Sequence, residues 1–147
     1  MRNNSEKFVR HPKPLPSGVT LIEFAAILLL LLTILLGIME AGRAIMNYHT
    51  LYQAVSEGAR YASVNGSTSS APPGPRPTAE VDPLIKQRVI DAAVGLPLTL
   101  SNVQVSWTPD NRPGSTVTVS ASYLYVPFAL GWTSFSLIGR SNVVIQR

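Results

Sequence analysis

The most apolar segment of this 147-residue chain begins Gly18-Val19-Thr20-Leu21-Ile22-Glu23-Phe24-Ala25-Ala26-Ile27 and continues with five leucines. From Val19 to Met39 there are 21 residues, of which Glu23 is the only charged one. A helix rises about 1.5 Å per residue, so this segment extends about 30 Å, the thickness of a bilayer's hydrocarbon core. It therefore predicts a membrane-spanning helix, and an acid at the edge of such a helix is usually functional.

Two other interpretations of the apolar segment explain less. A buried helix of a soluble protein needs more surrounding chain than the roughly 80 residues that follow this helix. A secretory signal peptide has a shorter apolar core with a small-residue cleavage site at its end, whereas Glu40 and Arg43 follow here in a continuing helical pattern. We expect the span to remain in the mature protein.

The positive charge of the chain is concentrated in the leader before the span. Residues 1–18 carry a net charge of +3, and residues 19–147 carry +1. Basic residues beside an apolar span mark its cytoplasmic side, so the N-terminus is predicted to be cytoplasmic and residues beyond about 42 extracytoplasmic. Outside the leader there is no cationic stripe, and we expect no nucleic-acid binding.

The leader has the composition of an extended segment. Its prolines alternate in His11-Pro12-Lys13-Pro14-Leu15-Pro16-Ser17-Gly18. Proline denies helix donors and favours extended backbone, and Gly18 has no side chain to obstruct a narrow cleft. A protease needs these properties at a scissile bond, although an ordinary tether before a membrane helix shares them.

The apolar pattern continues beyond the span at helical spacing. No proline occurs from Glu40 to Val64, and the stripe comprises Ala41, Ala44, Ile45, Tyr48, Leu51, Tyr52, Val55, Ala59 and Ala62. One helix of about 45 residues is predicted, ending at the stop signal Asn65-Gly66. Exposed ion pairs are predicted for Glu40 with Arg43 and for Glu57 with Arg60. Small residues four apart, Gly37/Ala41 and Gly58/Ala62, either permit close helix packing or reflect chance in an alanine-rich helix.

Two motifs on this helix resemble a known family. Gly18 with the acid Glu23 at the fifth place after it resembles the processing site of type IV prepilins and pseudopilins. The segment Glu57-Gly58-Ala59-Arg60-Tyr61-Ala62, with Glu23-Phe24-Ala25 and Gly42-Arg43, resembles the TadE-like pseudopilins of the tight-adherence (Tad) system, which builds the Flp pilus. The resemblance covers about residues 17–64.

The resemblance implies that a prepilin peptidase removes the leader after Gly18 and leaves Val19 as the new N-terminus. It also implies that Glu23 and Phe24 act in assembly, where the Glu23 carboxylate meets the N-terminal amine of a neighbouring subunit. A carboxylate in lipid requires such a cation, and a place in the first helical turn would add the favourable helix dipole. The remaining packing and signature positions are Gly37, Ala41, Gly42, Arg43, Glu57, Gly58, Ala59, Arg60, Tyr61 and Ala62.

The function that the resemblance implies is that of a minor pseudopilin in the bacterial inner membrane. It would act in assembly or initiation of a Tad/Flp-type adhesive pilus, either at the base of the fibre or within it. Its partners would be membrane lipid, the prepilin peptidase, other pilins and the Tad secretion machinery. The alternative is a single-pass anchor with a small extracytoplasmic binding domain, for which Gly18 and Glu23 are coincidental.

Composition divides the chain into a leader (1–18), a helix (19–65), a Pro/Ser-rich linker (66–77) and an extracytoplasmic α+β domain (78–147). Thr78 is predicted to cap a short helix with Glu80 and Asp82 near its start and the apolar stripe Leu84, Ile85, Val89, Ile90 and Val94. Alternating residues then predict three strands around Val103–Trp107, Val117–Ala121 and Phe135–Ile145, the last interrupted by Gly139. The expected fold is α+β, with a small antiparallel sheet to which the long helix lends an apolar face.

Residues that carry catalysis or bind metals are scarce. The chain has no cysteine and two histidines, His11 and His49, and it lacks a nucleophile elbow and a phosphate-binding loop. We therefore expect no enzyme, no cofactor and no metal site. His49 is interpreted as an ordinary helix residue and Asp110 as a turn former. The aromatic residues Trp107, Tyr123, Tyr125 and Phe128 are expected in the core rather than on an aromatic binding face, and Trp132 is expected at the surface. A second interpretation makes the apolar segment 128–132 a surface turn or a membrane-near contact.

Overall fold

The computed structural model describes residues 18–70, 83–128 and 133–146. Its elements are helix α1 (Gly18–Val64), helix α2 (Pro83–Ala92), a 3-10 turn (Leu100–Asn102) and strands β1 (Val103–Thr108), β2 (Thr116–Tyr125) and β3 (Phe135–Val144). The predicted α+β architecture is confirmed. The predicted cap at Thr78, with Glu80 and Asp82, lies outside the described residues.

Helix α1 consists of two halves with different surroundings. Residues 18–36 are all exposed, and this half is long and apolar enough to cross a membrane by length and composition. Residues 40–64 carry the buried positions of the helix, which are Glu40, Leu51, Ala54, Val55, Gly58, Ala59, Ala62 and Ser63. The second half is therefore part of the folded core, whereas the first half extends beyond the core as an exposed helix.

The three strands form one antiparallel sheet in the order β1-β2-β3. Val103 pairs with Ala121 across β1 and β2, and Tyr125 pairs with Phe135 across β2 and β3. In β2 the residues Val117, Val119 and Ala121 are buried, and they alternate with partly exposed positions. This alternation places one face of the sheet against the helices, as the period of two predicts.

Gly139 does not interrupt β3, so the predicted break is wrong. Gly139 pairs with Ala121 inside the ladder. A Cβ atom added to it would lie 3.3 Å from Leu51 Cγ and 3.4 Å from Val55 Cγ2. The missing side chain therefore lets α1 approach the sheet closely, which is another use of glycine within a strand.

The core lies between the second half of α1, helix α2 and the inner face of the sheet. Its fully buried aliphatic members are Leu51, Val55, Ile85, Val89, Val103, Val117, Val119 and Ile145. Backbone hydrogen bonds close the end of the fold farthest from the apolar half, where Gln146 N donates to Ser63 O at 2.9 Å. The expectation that the helix lends the domain an apolar face is confirmed.

The predicted apolar stripes are only partly right. On α2, Ile85 and Val89 are buried, but Leu84 is exposed and Val94 lies beyond the end of the helix at Ala92. On α1, the stripe is buried at Leu51, Val55, Ala59 and Ala62, whereas Ala41, Ile45, Tyr48 and Tyr52 are exposed. Spacing identifies an apolar helix but does not decide which of two adjacent faces meets the sheet.

Candidate functional site

The residues of the predicted processing and assembly motif lie on a bare helix. Gly18 begins α1, and a Cβ atom added there would meet no described heavy atom within 4 Å. Val19, Glu23 and Phe24 are all exposed. Because the helix starts at Gly18, Glu23 is its sixth residue, so the predicted place in the first turn is wrong. These motif side chains are therefore available to other molecules.

The signature segment 57–62 is divided between two faces of α1. On the exposed face Arg60 Nη2 lies 2.8 Å from Glu57 Oε1, which confirms that predicted ion pair. The opposite positions, Gly58, Ala59 and Ala62, are buried in the core. Within the described structure, therefore, the small residues of this segment serve packing inside the chain.

Gly58 lies where α1 packs tightly against α2. A Cβ atom added to it would collide with Val89 Cγ2 of α2 and would lie 3.7 Å from Val119 Cγ1. Tyr61, one turn further, is half-buried, and the guanidinium of Arg88 on α2 lies 5.3 Å from the centre of its ring. The other small pair differs, since Gly37 is partly exposed and Ala41 exposed.

The predicted ion pair of Glu40 with Arg43 forms, but the Glu40 carboxylate is buried, so the predicted exposure of this pair is wrong. The residue is 2% exposed. Its Oε1 atom accepts hydrogen bonds from the Tyr125 hydroxyl at 2.5 Å and from the Phe128 backbone N–H at 3.1 Å. Arg43 Nη1 lies 3.4 Å from the same oxygen. Four groups from the helix and from the end of β2 thus meet at the first residue after the apolar segment.

Tyr125 provides the side of this junction that belongs to the sheet. Its ring is 1% exposed and lies 5.2 Å from the ring of Phe135, and the Arg43 guanidinium stands 5.8 Å from its centre. Burial raises the pKa of the Tyr125 hydroxyl, and the hydrogen bond to the Glu40 carboxylate raises the pKa further. The hydroxyl therefore remains a donor at neutral pH, and the buried carboxylate keeps the partners that its burial requires.

Sequence reasoning missed Glu40 because Arg43 stands at helical spacing from it and suggests a surface pair. One signal was present, namely that Glu40 directly follows the last apolar residue of the span. The partners Tyr125 and Phe128 are 85 and 88 positions away in the sequence. Only the return of β2 to the start of the second half of α1 brings them together.

The remaining candidate residues have the ordinary roles of turns and surfaces. The Asp110 carboxylate accepts a hydrogen bond from the Ser115 hydroxyl at 2.7 Å and one from the Arg112 backbone N–H at 3.0 Å, which confirms a turn former. These bonds, the Ser115 bond first, lower the pKa of Asp110. Phe128 is 86% exposed, so the core interpretation of this residue is wrong and its exposure agrees with the surface alternative. Trp132 lies outside the described residues.

No group of three or more potential metal ligands occurs among residues 18–70, 83–128 and 133–146. His49 lies on the exposed side of α1, and its ring stands edge-on to that of Tyr48.

Comparison with known proteins finds one family that is similar to helix α1. The family model described as TadE-like protein matches residues 18–60, from the first residue of α1 into the signature segment. No curated protein and no solved structure matches the chain. The predicted resemblance to the TadE-like family is thus confirmed over this helix. The resemblance implies an association with the Tad pilus.

Proposed function

We propose that the protein is a minor pseudopilin that acts in assembly or initiation of a Tad/Flp-type adhesive pilus. The observation that carries this proposal is the TadE-like match over residues 18–60, on a helix whose first half is exposed and apolar. A bare apolar helix with one acid suits a chain that moves from lipid into a bundle of similar helices. The partners are inner-membrane lipid, a prepilin peptidase, other pilins and the Tad machinery.

The first step of the proposed mechanism is removal of the leader after Gly18 on the cytoplasmic side. Gly18 has no packing role within the described structure, because a side chain there would meet open space. Glycine at this position therefore serves the contact with another molecule, which we infer to be the cleft of a peptidase. Cleavage makes the amine of Val19 a new cation at the membrane surface.

The second step is pairing of Glu23 with the amine of a neighbouring subunit. Glu23 is exposed and is the single charge between Val19 and Met39. An unpaired carboxylate at the margin of a bilayer is costly, and an amine of an adjacent helix offsets that cost. The pairing favours helices that lie side by side in a fixed axial register, which is what assembly requires.

Replacement of Gly18 by leucine tests the processing step. We expect protein co-expressed with its peptidase to begin at Val19, and the Gly18→Leu variant to keep Met1 and its basic leader. Gly42→Leu is the matched control, because a Cβ atom at Gly42 also meets no described heavy atom within 4 Å. The control should be cleaved normally. Intact-mass analysis that finds the leader on the wild-type chain, beside an active peptidase, contradicts the proposal.

Replacement of Glu23 by glutamine separates a pseudopilin from a plain membrane anchor. The variant keeps the size and polarity of the side chain but loses the charge that pairs with an amine. We expect normal insertion and cleavage of Glu23→Gln and a loss of pili that contain or depend on this subunit. An anchor with an unrelated binding domain predicts unchanged function instead, so wild-type pilus numbers by electron microscopy would favour that alternative.

A further inference from the structure

An exposed apolar surface lies where the sheet comes nearest to the apolar half of α1. We propose that Val126 and Phe128, which follow β2, rest in the interfacial layer of the membrane and hold the domain against the bilayer. The inference relies on the membrane span of the proposed function. It adds a second contact with lipid, made by the folded domain rather than by the helix.

The position of this surface along α1 follows from Glu40. The apolar segment ends at Met39, so the next residue lies at the level where the hydrocarbon core gives way to headgroups. Tyr125 and the Phe128 backbone both donate hydrogen bonds to the Glu40 carboxylate. The end of β2 is thereby fixed within hydrogen-bonding distance of the membrane boundary.

The direction of the strands agrees with this position. Gly139 of β3 packs against Leu51 and Val55, and Gln146 reaches Ser63. Glu40 and Ser63 are about 35 Å apart along a helix axis at 1.5 Å per residue. The sheet therefore extends along α1 from the membrane boundary outward, and residues 126–128 belong to its membrane end.

The side chains at this end suit an interface with lipid. Val126 is 61% exposed and Phe128 86% exposed, although the fold has a core in which similar residues are buried. Phe135 beside them is also exposed, and the Arg43 side chain is about half exposed at the same level. Apolar groups lower their free energy in the acyl region, while a cation above them can face lipid phosphates.

Spin labels on introduced cysteines test the proposal, because the chain has no cysteine of its own. The full-length chain is labelled at Val126→Cys, which leaves the Phe128 ring in place. It is then reconstituted at low protein density into vesicles of phosphatidylethanolamine and phosphatidylglycerol. Collision with oxygen reports on lipid, and collision with a water-soluble nickel chelate reports on water. We expect the oxygen-to-nickel accessibility ratio at Val126 to be several-fold higher than at a label in water.

Two further label sites keep the outcomes distinct. Val94→Cys is the matched control in water, since Val94 is an equally apolar, 80% exposed residue just beyond α2, which packs near Gly58 far along α1. Ile38→Cys is the reference within the apolar segment. A Val126 ratio equal to that of Val94, with a lipid value at Ile38, overturns the inference and leaves the span intact. A water value at Ile38 contradicts the proposed function itself.

A second variant identifies the contribution of the aromatic ring. Phe128→Ser in the Val126→Cys chain should lower the oxygen-to-nickel ratio at Val126 toward the value at Val94. A ratio that Phe128→Ser does not change overturns the role of the ring. A label at Val126 that is immobilised and shielded from both reagents also overturns the proposal, because that result indicates contact with a second copy of the chain instead of lipid.

Discussion

Glu40 is the residue at which the apolar half of α1 meets the folded half. A carboxylate that is 2% exposed is stable only with partners, and Tyr125, Phe128 and Arg43 supply them. Removal of one partner leaves the other two in place, but the buried Glu40 carboxylate is then only partly compensated. Individual side chains at this junction therefore affect the stability of the whole sheet–helix contact.

Tyr125→Phe tests the junction with the smallest change in shape. The variant removes the hydroxyl that donates to Glu40, and the buried carboxylate keeps only its weaker partners. We expect a loss of roughly 1–3 kcal/mol of unfolding free energy. Thermal unfolding of the full chain in detergent micelles, followed by near-ultraviolet circular dichroism, measures the change.

The matched control for this variant is Tyr52→Phe, since Tyr52 is 47% exposed on the same helix as Glu40. Its effect should stay within about 0.5 kcal/mol, as for most surface changes. Equal stability of Tyr125→Phe and the wild-type chain would mean that the hydrogen bond to Glu40 contributes nothing.

Asp110 makes the β1–β2 turn sensitive to acid. Its pKa is lowered in the folded chain, first by the Ser115 hydroxyl and then by the Arg112 N–H. Its contribution to stability is therefore fully present above the ordinary value near 3.8 and is lost as the pH falls through the lower, folded value. We expect the stability advantage of the wild-type chain over Asp110→Asn to disappear in this acid range.

Unfolding curves of both chains from neutral pH down to strong acid measure this difference. Adding Ser115→Ala to Asp110→Asn should leave its pH dependence unchanged, because the carboxylate is already absent. A gap between wild type and Asp110→Asn that persists at the lowest pH would contradict the interpretation.

At the scale of elements, two glycines on α1 have opposite surroundings. Gly58 faces Val89 of α2 with no room for a methyl group, whereas Gly42 faces open space. Propensity favours alanine at both positions because both are helical. For a substitution by alanine, packing therefore decides whether the free energy of unfolding rises or falls at Gly58. At Gly42 the backbone entropy decides it.

Gly58→Ala and Gly42→Ala form the matched pair that this contrast provides. We expect Gly58→Ala to destabilise the chain by roughly 1–3 kcal/mol through overpacking. Gly42→Ala should stabilise it by roughly 0.5–1 kcal/mol. Thermal unfolding in micelles compares them, and Val89→Ala added to Gly58→Ala should cost less than the sum of the two single changes. If both glycine variants destabilise the chain, the cause is a general sensitivity of α1 to substitution and not the contact of Gly58 with α2.

For the whole molecule, the second half of α1 is as much a part of the domain as the strands are. Leu51, Val55 and Ala59 are fully buried together with residues of α2 and the sheet. A small core gives a small free energy of unfolding, so the domain unfolds when one side of this core is removed. The folded unit therefore begins at the end of the apolar segment and extends to the third strand.

Two truncations test where the folded unit begins. A chain that starts at Gly37 keeps Glu40 and its partners, and we expect it to be soluble and to unfold cooperatively. A chain that starts at Gly66 lacks the helix that covers Val117 and Val119, and we expect it to lose its near-ultraviolet signal and its cooperative transition. Cooperative unfolding of the shorter chain, at a midpoint close to that of the longer one, would contradict this assignment.

Local sequence patterns are sufficient to predict the helices and strands of this protein and the resemblance of α1 to TadE-like proteins. The 21-residue apolar segment, the helical spacing after it and the alternation in β1 and β2 each depend on local periodicity, which a single chain displays without its fold. The motif Gly18 to Glu23 and the segment Glu57 to Ala62 are likewise local, and they were sufficient to predict the TadE-like match. The role of the motif residues in processing and assembly stays a prediction.

The folded structure, through contacts between residues far apart in the chain, selects the faces that pack together. Glu40 is buried and accepts a hydrogen bond from Tyr125, and Gly139 packs against Leu51. Ile45, Tyr52 and Phe128 are exposed. Each of these results depends on contacts between residues far apart in the chain. The spacing of apolar residues predicts which residues share one face of a helix or strand. The free energy of burial depends on the element that covers that face, and local spacing does not identify this element.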